Sequence, residues 1–184
     1  MRHDIFLAGL GGQGILFAGE LLARAAVCEG LEVTWVPNYE PEVRGGAAMC
    51  TVVIANGRVG SPIVTRPHHL ILMEQRAVDE YLSTAADGGL ALVNSSLARA
   101  DSGTGAVTII RVPATELARS AGDERSANVV MLGALLALRP IVKLESVRHA
   151  IAEAAASRGP EAVRINLCAL QQGADYASAL DKCC

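Results

Sequence analysis

Apolar residues along the chain fall into short runs whose internal spacing alternates between two periods, with glycine, proline and polar clusters between them. Ile5 to Ala8, preceded by Asp4, is a continuous apolar run of strand length. Ile15, Ala18, Leu22, Ala25 and Ala26 then recur at helical spacing, predicting a helix from about Gly12 to Cys28 that stops at Gly30. Leu31 to Val36 is a second strand, closed by Pro37, and a parallel pair with a right-handed helical crossover is expected. Asn38 to Gly46 is a charged, glycine-rich loop. Ala48 to Ala55 reads as a strand, and Asn56-Gly57 signals a hairpin with Arg58 to Val64 as the return.

Further strands are expected at His69 to Met73, Leu90 to Val93 and Val107 to Val112, with a helix from Gln75 to Ala85. Beyond Pro113 the pattern is helical. Ala114 to Ala121 is short, and Ser126 is placed to cap a helix from Ala127 to Leu138, with Pro140 just past it. Leu144, Val147, Ile151 and Ala154 mark one face of the next helix, which Gly159-Pro160 ends. Asn166 is placed to cap a last helix through Leu180. Strands alternating with helices and then a helical C-terminal part predict a single α/β domain over 1–184, with a mostly parallel sheet and a β-hairpin. The segment Ala127 to Leu138 is apolar almost all round, so it belongs in the core or at an interface. Self-association of the isolated chain is also expected, through an apolar patch left exposed.

Composition narrows the function classes. Net charge is −3 and aromatics make up 3% of the chain, which argues against nucleic acid as a partner. No apolar run approaches the roughly 20 residues that span a bilayer, and the N-terminus is a poor signal peptide, so a cytoplasmic protein is expected. Cys28, Cys50 and Cys168 read as buried structural thiols, and Cys183-Cys184 as an idle tail. No closely spaced set suits an iron–sulfur cluster.

Two segments carry candidate chemistry. Gly9-Leu10-Gly11-Gly12-Gln13-Gly14 joins the first strand to the first helix, where backbone N–H groups can face an anion. Gly9, Gly11 and Gly14 have dinucleotide-site spacing, but that reading also needs an acid at the end of the second strand. Glu32 lies too early and Glu40 lies beyond Pro37, so NAD or FAD is disfavoured. Gln13 adds an amide in the first helical turn. The second segment is Asn38-Tyr39-Glu40-Pro41-Glu42-Val43-Arg44-Gly45-Gly46. Arg44 offers a planar cation beside backbone that a partner can approach closely. Asn128, at the start of the apolar helix, is positioned to point an amide into the same cleft or to bond its own backbone.

Taken in order, strand–Gly-x-Gly-Gly-Gln-Gly–helix followed by Tyr-x-Pro-Glu-Val-Arg-Gly-Gly-Ala resembles the gamma subunit of the 2-oxoacid:ferredoxin oxidoreductases, which act on pyruvate, 2-oxoglutarate, branched 2-oxoacids or indolepyruvate. The resemblance continues in Ala127-Asn128-Val129-Val130-Met131-Leu132-Gly133-Ala134 and in Ile165-Asn166-Leu167, Ala169-Leu170 and Gly173. Glu40 departs from it, standing where the family has glycine. The resemblance implies a Rossmann-like domain, inactive alone, in a complex with alpha, beta and delta subunits. Thiamine diphosphate, magnesium and iron–sulfur clusters would sit on those partners, and ferredoxin would take the electrons. It implies coenzyme A as the ligand this chain could contact, through Gly11, Gly12, Gln13, Gly14, Arg44, Gly45, Gly46 and Asn128. No acid, base or nucleophile is assigned, and no metal ligand: His68-His69 reads as a core or edge pair, and His3 and His149 as isolated surface residues. A coenzyme A- or nucleotide-binding module and an architectural subunit without a ligand are the alternatives.

Overall fold

The computed structural model describes residues 2–39, 46–100 and 107–181. Six strands form one sheet in the order β2-β3-β1-β4-β5-β6, where β1 is Arg2–Leu10, β2 Glu32–Tyr39, β3 Ala47–Ala55, β4 His69–Leu72, β5 Leu90–Asn94 and β6 Thr108–Val112. β1, β4, β5 and β6 run parallel, and β3 is antiparallel to both β1 and β2. The helices are α1 (Ile15–Cys28), α2 (Gln75–Tyr81), α3 (Ala114–Ala121), α4 (Ala127–Leu138), α5 (Leu144–Ala155) and α6 (Pro160–Asp181).

Two expected pairings are corrected. β1 and β2 do not touch, because β3 lies between them. Arg58 to Val64 forms no strand, although Asn56-Gly57 does end β3. Both edges of β3 are already hydrogen-bonded, to β1 and β2, so no edge is left for a return strand. The antiparallel pair consecutive in sequence is β2–β3.

Side chains alternate across the sheet as the pleat requires. Ile5, Leu7, Cys50, Val52, Ile71 and Leu92 face a large core with α1, α3, α4, α5 and α6. Ala8, Leu70, Leu72, Ala91 and Val93 face a smaller core under α2. The Cys50 thiol is buried, and burial pushes its pKa up to about 12. Cys28 is exposed and Cys168 half-buried, against the expectation of three buried thiols; Cys28 closes α1 on its solvent side.

α4 is the centre of the helical layer. Every residue from Ala127 to Leu136 is buried. Its backbone lies directly against α6: a Cβ on Gly133 would run into the carbonyl oxygen of Leu170, and one on Gly173 into that of Val130. The apolarity of α4 is therefore satisfied inside the chain and supplies no outward face for self-association. Two helix starts also differ from expectation. Ser126 makes no side-chain cap on α4; its hydroxyl donates to the Asp123 carbonyl instead. α6 begins at Pro160 rather than near Asn166. Proline at the first helical position loses no hydrogen bond, since that N–H has no partner in any helix.

At the amino-terminal edge of the parallel strands, His69 is 7% exposed and stacks on His3 with ring centroids 5.7 Å apart. His3 is thus half-buried and stacked on a buried partner, not an isolated surface residue. His3 Nε2 and His69 Nδ1 have no hydrogen-bond partner. Burial, reinforced by His3, pushes the His69 pKa from 6.5 down to about 4. His68 Nδ1 lies 2.9 Å from Asp4.

Two predictions follow from these contacts. Gly173→Ala gains helix propensity but forces a methyl into backbone, and should lose about 3 kcal/mol in urea denaturation; an unchanged midpoint would refute the close contact. The folded chain keeps His69 neutral where the unfolded chain protonates it. Stability should therefore fall as pH drops from 6.5 towards 4, with His69 contributing at most about 1.4 kcal/mol per pH unit. His69→Leu should flatten that slope, and equal slopes in variant and parent would exclude His69 as the cause.

Candidate functional site

The chain leaves β1 at Leu10 and turns sharply. Leu10 N–H donates to Gln13 Oε1 at 2.8 Å, and Gln13 N–H donates back to the Leu10 carbonyl at 3.1 Å. Gly11 N–H donates to the Gly46 carbonyl at 2.8 Å, which ties the first glycine segment to the end of the second. Gly14 is left-handed, with φ 73° and ψ 26°, and opens α1. Its carbonyl accepts from Ala18 N–H at 3.0 Å and from Asn128 Nδ2 at 2.8 Å. A side chain at Gly14 would also meet Asn128 Nδ2 at 2.5 Å. The turn is thus pinned from within by Gln13 and from across the fold by Asn128.

This turn lies at the carboxyl ends of the parallel strands, where the α1 crossover leaves towards β2 on one face of the sheet and α2 leads to β5 on the other. Open α/β sheets bind ligands at such a divergence. A cleft of about 780 Å³ opens there. Its walls are the glycine turn and residues from the first turns of α1, α4 and α6, including Phe17, Asn128 and Glu161. First-turn N–H groups have no intrahelical acceptor, and the aligned peptide dipoles leave about half a positive charge at each helix start. α1 has no acidic residue in its first turn and no side-chain cap to offset this.

The charged groups lining the cleft are Asp123, Arg125, Arg158 and Glu161. Arg125 holds Asp123 through a 2.7 Å contact, and its donated hydrogen bonds keep the Asp123 carboxyl below its usual pKa. Arg164 does the same to Glu161, at 2.6 Å. The Arg158 guanidinium lies over the Phe17 ring, 5.1 Å from its centroid. Apolar side chains of Ile15, Leu16 and Ile165 fill much of the remaining surface.

Of the residues singled out from the sequence, Gly11, Gly12, Gly14 and Asn128 line this one cleft. Asn128 is 3% exposed and bonds the glycine turn, not its own helix. Gln13 points its carbonyl oxygen back into the loop. Gly46 is buried against Gly11, and Arg44 and Gly45 lie outside the described residues. Arg158 and the start of α6 are not among the residues that the sequence points to, because Gly159-Pro160 reads locally as a helix end. Proline at a helix's first position was the available signal. Among the described residues no group of three or more His, Cys, Asp or Glu could hold a metal ion, and no helix is long and apolar enough to cross a membrane.

Residues 4–176 match the family model described as pyruvate ferredoxin/flavodoxin oxidoreductase. Ketoisovalerate oxidoreductase subunit VorA of Methanothermobacter thermautotrophicus is 44% identical over 172 residues, covering 93% of this chain and 35% of the relative. The chain thus spans about a third of the length of that relative. 2-Oxoglutarate synthase subunit KorC of Methanocaldococcus jannaschii is 38% identical over 186 residues, covering 98% of this chain and 96% of the relative. The crystal structure of the keto/oxoacid ferredoxin oxidoreductase gamma subunit from Geobacter sulfurreducens superposes with a TM-score of 0.83 at 34% identity, covering 97% of this chain and 98% of that one.

The pinning of the turn can be measured. Gly14→Ala should cost about 2 kcal/mol, in part from the left-handed backbone and in part from the Asn128 contact. In an Asn128→Ala background only the backbone part remains, so the two changes should couple by at least about 0.5 kcal/mol in a double-mutant cycle. Strict additivity would show that Asn128 does not hold the turn.

Proposed function

The chain belongs to the pyruvate ferredoxin/flavodoxin oxidoreductase family, and from that membership we propose that it works as the gamma-type subunit of a multisubunit 2-oxoacid:ferredoxin oxidoreductase. The observation that carries this reading is the end-to-end match to KorC, a relative of the same length that is itself a separate subunit. The longer VorA relative, which matches over a third of its length, shows the same domain joined to further polypeptide. A domain found both free and fused must dock on the rest of the enzyme.

In this reading the alpha, beta and delta partners carry thiamine diphosphate, magnesium and the iron–sulfur clusters, which supply decarboxylation and electron transfer to ferredoxin. Choice of 2-oxoacid lies on partner surfaces. This chain contributes no acid, base or nucleophile; its part is the cleft, which we assign to coenzyme A. The fit is chemical. The cleft of about 780 Å³ has apolar walls at Ile15, Leu16 and Ile165 that suit an aliphatic arm, and helix starts that favour phosphate. Gly11, Gly12 and Gly14 line it, Gln13 and Asn128 hold the turn, Gly46 accepts from Gly11 N–H, and we assign Arg44 and Gly45 to the same site from the sequence pattern alone.

One observation favours the architectural alternative. The N–H groups of Leu10, Gly11 and Gln13 all bond within the chain, so most of the loop's donors are not offered to a ligand.

Two measurements decide between these readings. The tagged chain should co-purify with chains bearing a G-D-G…N thiamine motif and C-x-x-C clusters; recovery alone would refute the subunit assignment. Calorimetry of the assembled complex should show coenzyme A binding that Gln13→Ala and Arg44→Ala each weaken by about tenfold, or about 1.4 kcal/mol. Unchanged affinity in both variants removes these residues from the site, and no binding by the parent complex leaves the architectural role.

A further inference from the structure

Arg158 is the charged group lining the cleft that has no opposite charge beside it among the described residues. Arg125 is bound to Asp123 and Glu161 to Arg164, so both acidic groups at the mouth are neutralised by neighbours. Among the described residues Arg158 makes only the contact over the Phe17 ring, which leaves its N–H donors available. Phe17 is the third residue of α1, so the guanidinium stands beside the same helix start whose first-turn N–H groups lack acceptors. A planar cation and a positive helix end meet at one place.

The floor of the cleft has the opposite polarity. Asn128 is 3% exposed and its Nδ2 is committed to the Gly14 carbonyl. Its Oδ1 takes no donor from the described residues. An acceptor oxygen held at the floor disfavours an anion and suits an N–H or O–H of the ligand. The two ends of the cleft therefore select different parts of one molecule.

Resting on the coenzyme A reading above, we infer that Arg158 receives the phosphate-bearing end of the ligand at the mouth, and that Asn128 Oδ1 receives a neutral amide N–H at the floor. The ligand lies with its diphosphate outward against Arg158 and its amide-containing arm inward over the glycine turn. Binding draws the guanidinium from the Phe17 ring to the phosphate, because a charge-assisted bidentate contact is stronger than an exposed cation–π contact.

The test is calorimetry on the full chain, alone and in the complex it purifies with. The probes are coenzyme A, pantetheine and inorganic pyrophosphate, against the parent, Arg158→Gln and Arg158→Lys. Arg158→Gln should weaken coenzyme A and pyrophosphate by about ten- to a hundredfold and leave pantetheine unchanged, with Arg158→Lys recovering part of the loss. Coenzyme A binding equally to parent and Arg158→Gln overturns the role of Arg158 while leaving the coenzyme A reading standing. An equal loss for pantetheine also overturns it, by showing a structural effect. Pyrophosphate binding that depends on Arg158, without coenzyme A binding, supports the anion site and removes coenzyme A as its ligand. No binding of any probe overturns both.

Discussion

Gly133 and Gly173 let the backbones of α4 and α6 touch, and the two cleft walls that these helices supply depend on that contact. α4 is buried along almost its whole length, so its position is set by what packs on it and not by solvent. Its N-terminal end is thereby driven under the turn after β1, where Asn128 meets the Gly14 carbonyl. α6, held against α4 midway along its length, brings its own start to the same opening. Without the two glycines the helices would stand apart by at least a side chain, and Asn128 and Arg158 would not face one cavity.

The cleft has an electrostatic logic that follows from this packing. Helix starts contribute partial positive charge without adding a side chain, and the acidic residues nearby are each held by an arginine. The glycine turn has a different part. Its donors are largely turned inward, through Gln13 and through the Gly46 carbonyl. It is a rigid floor more than a cradle, which distinguishes it from the dinucleotide loop that its spacing suggests. The strand order agrees with that distinction, because β3 stands between β1 and β2, and β2 is not the neighbouring strand that a dinucleotide site uses.

Much of this was legible in the order of residues. The strand–glycine–helix unit, the apolar α4 and the short α3 stand where the apolar spacing put them. Those segments carry a periodic signal that local packing enforces. The errors came where a local signal has two meanings. Asn56-Gly57 ends β3 as a turn should, but whether a hairpin forms depends on a free strand edge, and both edges of β3 are occupied. Gly159-Pro160 both ends one helical stretch and begins the next. His3 looked isolated because its neighbour, His69, is brought to it only by the pairing of β1 with β4.

The sequence alone determined the α/β class, the glycine turn at the end of the first strand, and the resemblance that led to the family. Each of these rests on residues adjacent or a few positions apart, whose backbone preferences and periodicity act locally. Tertiary structure decided the strand order, the stacking of His3 on buried His69 and the union of Gly14, Asn128 and Arg158 in one cleft. Those residues are more than a hundred positions apart at their extremes, and only the close approach of α4 and α6 over the sheet brings them within reach.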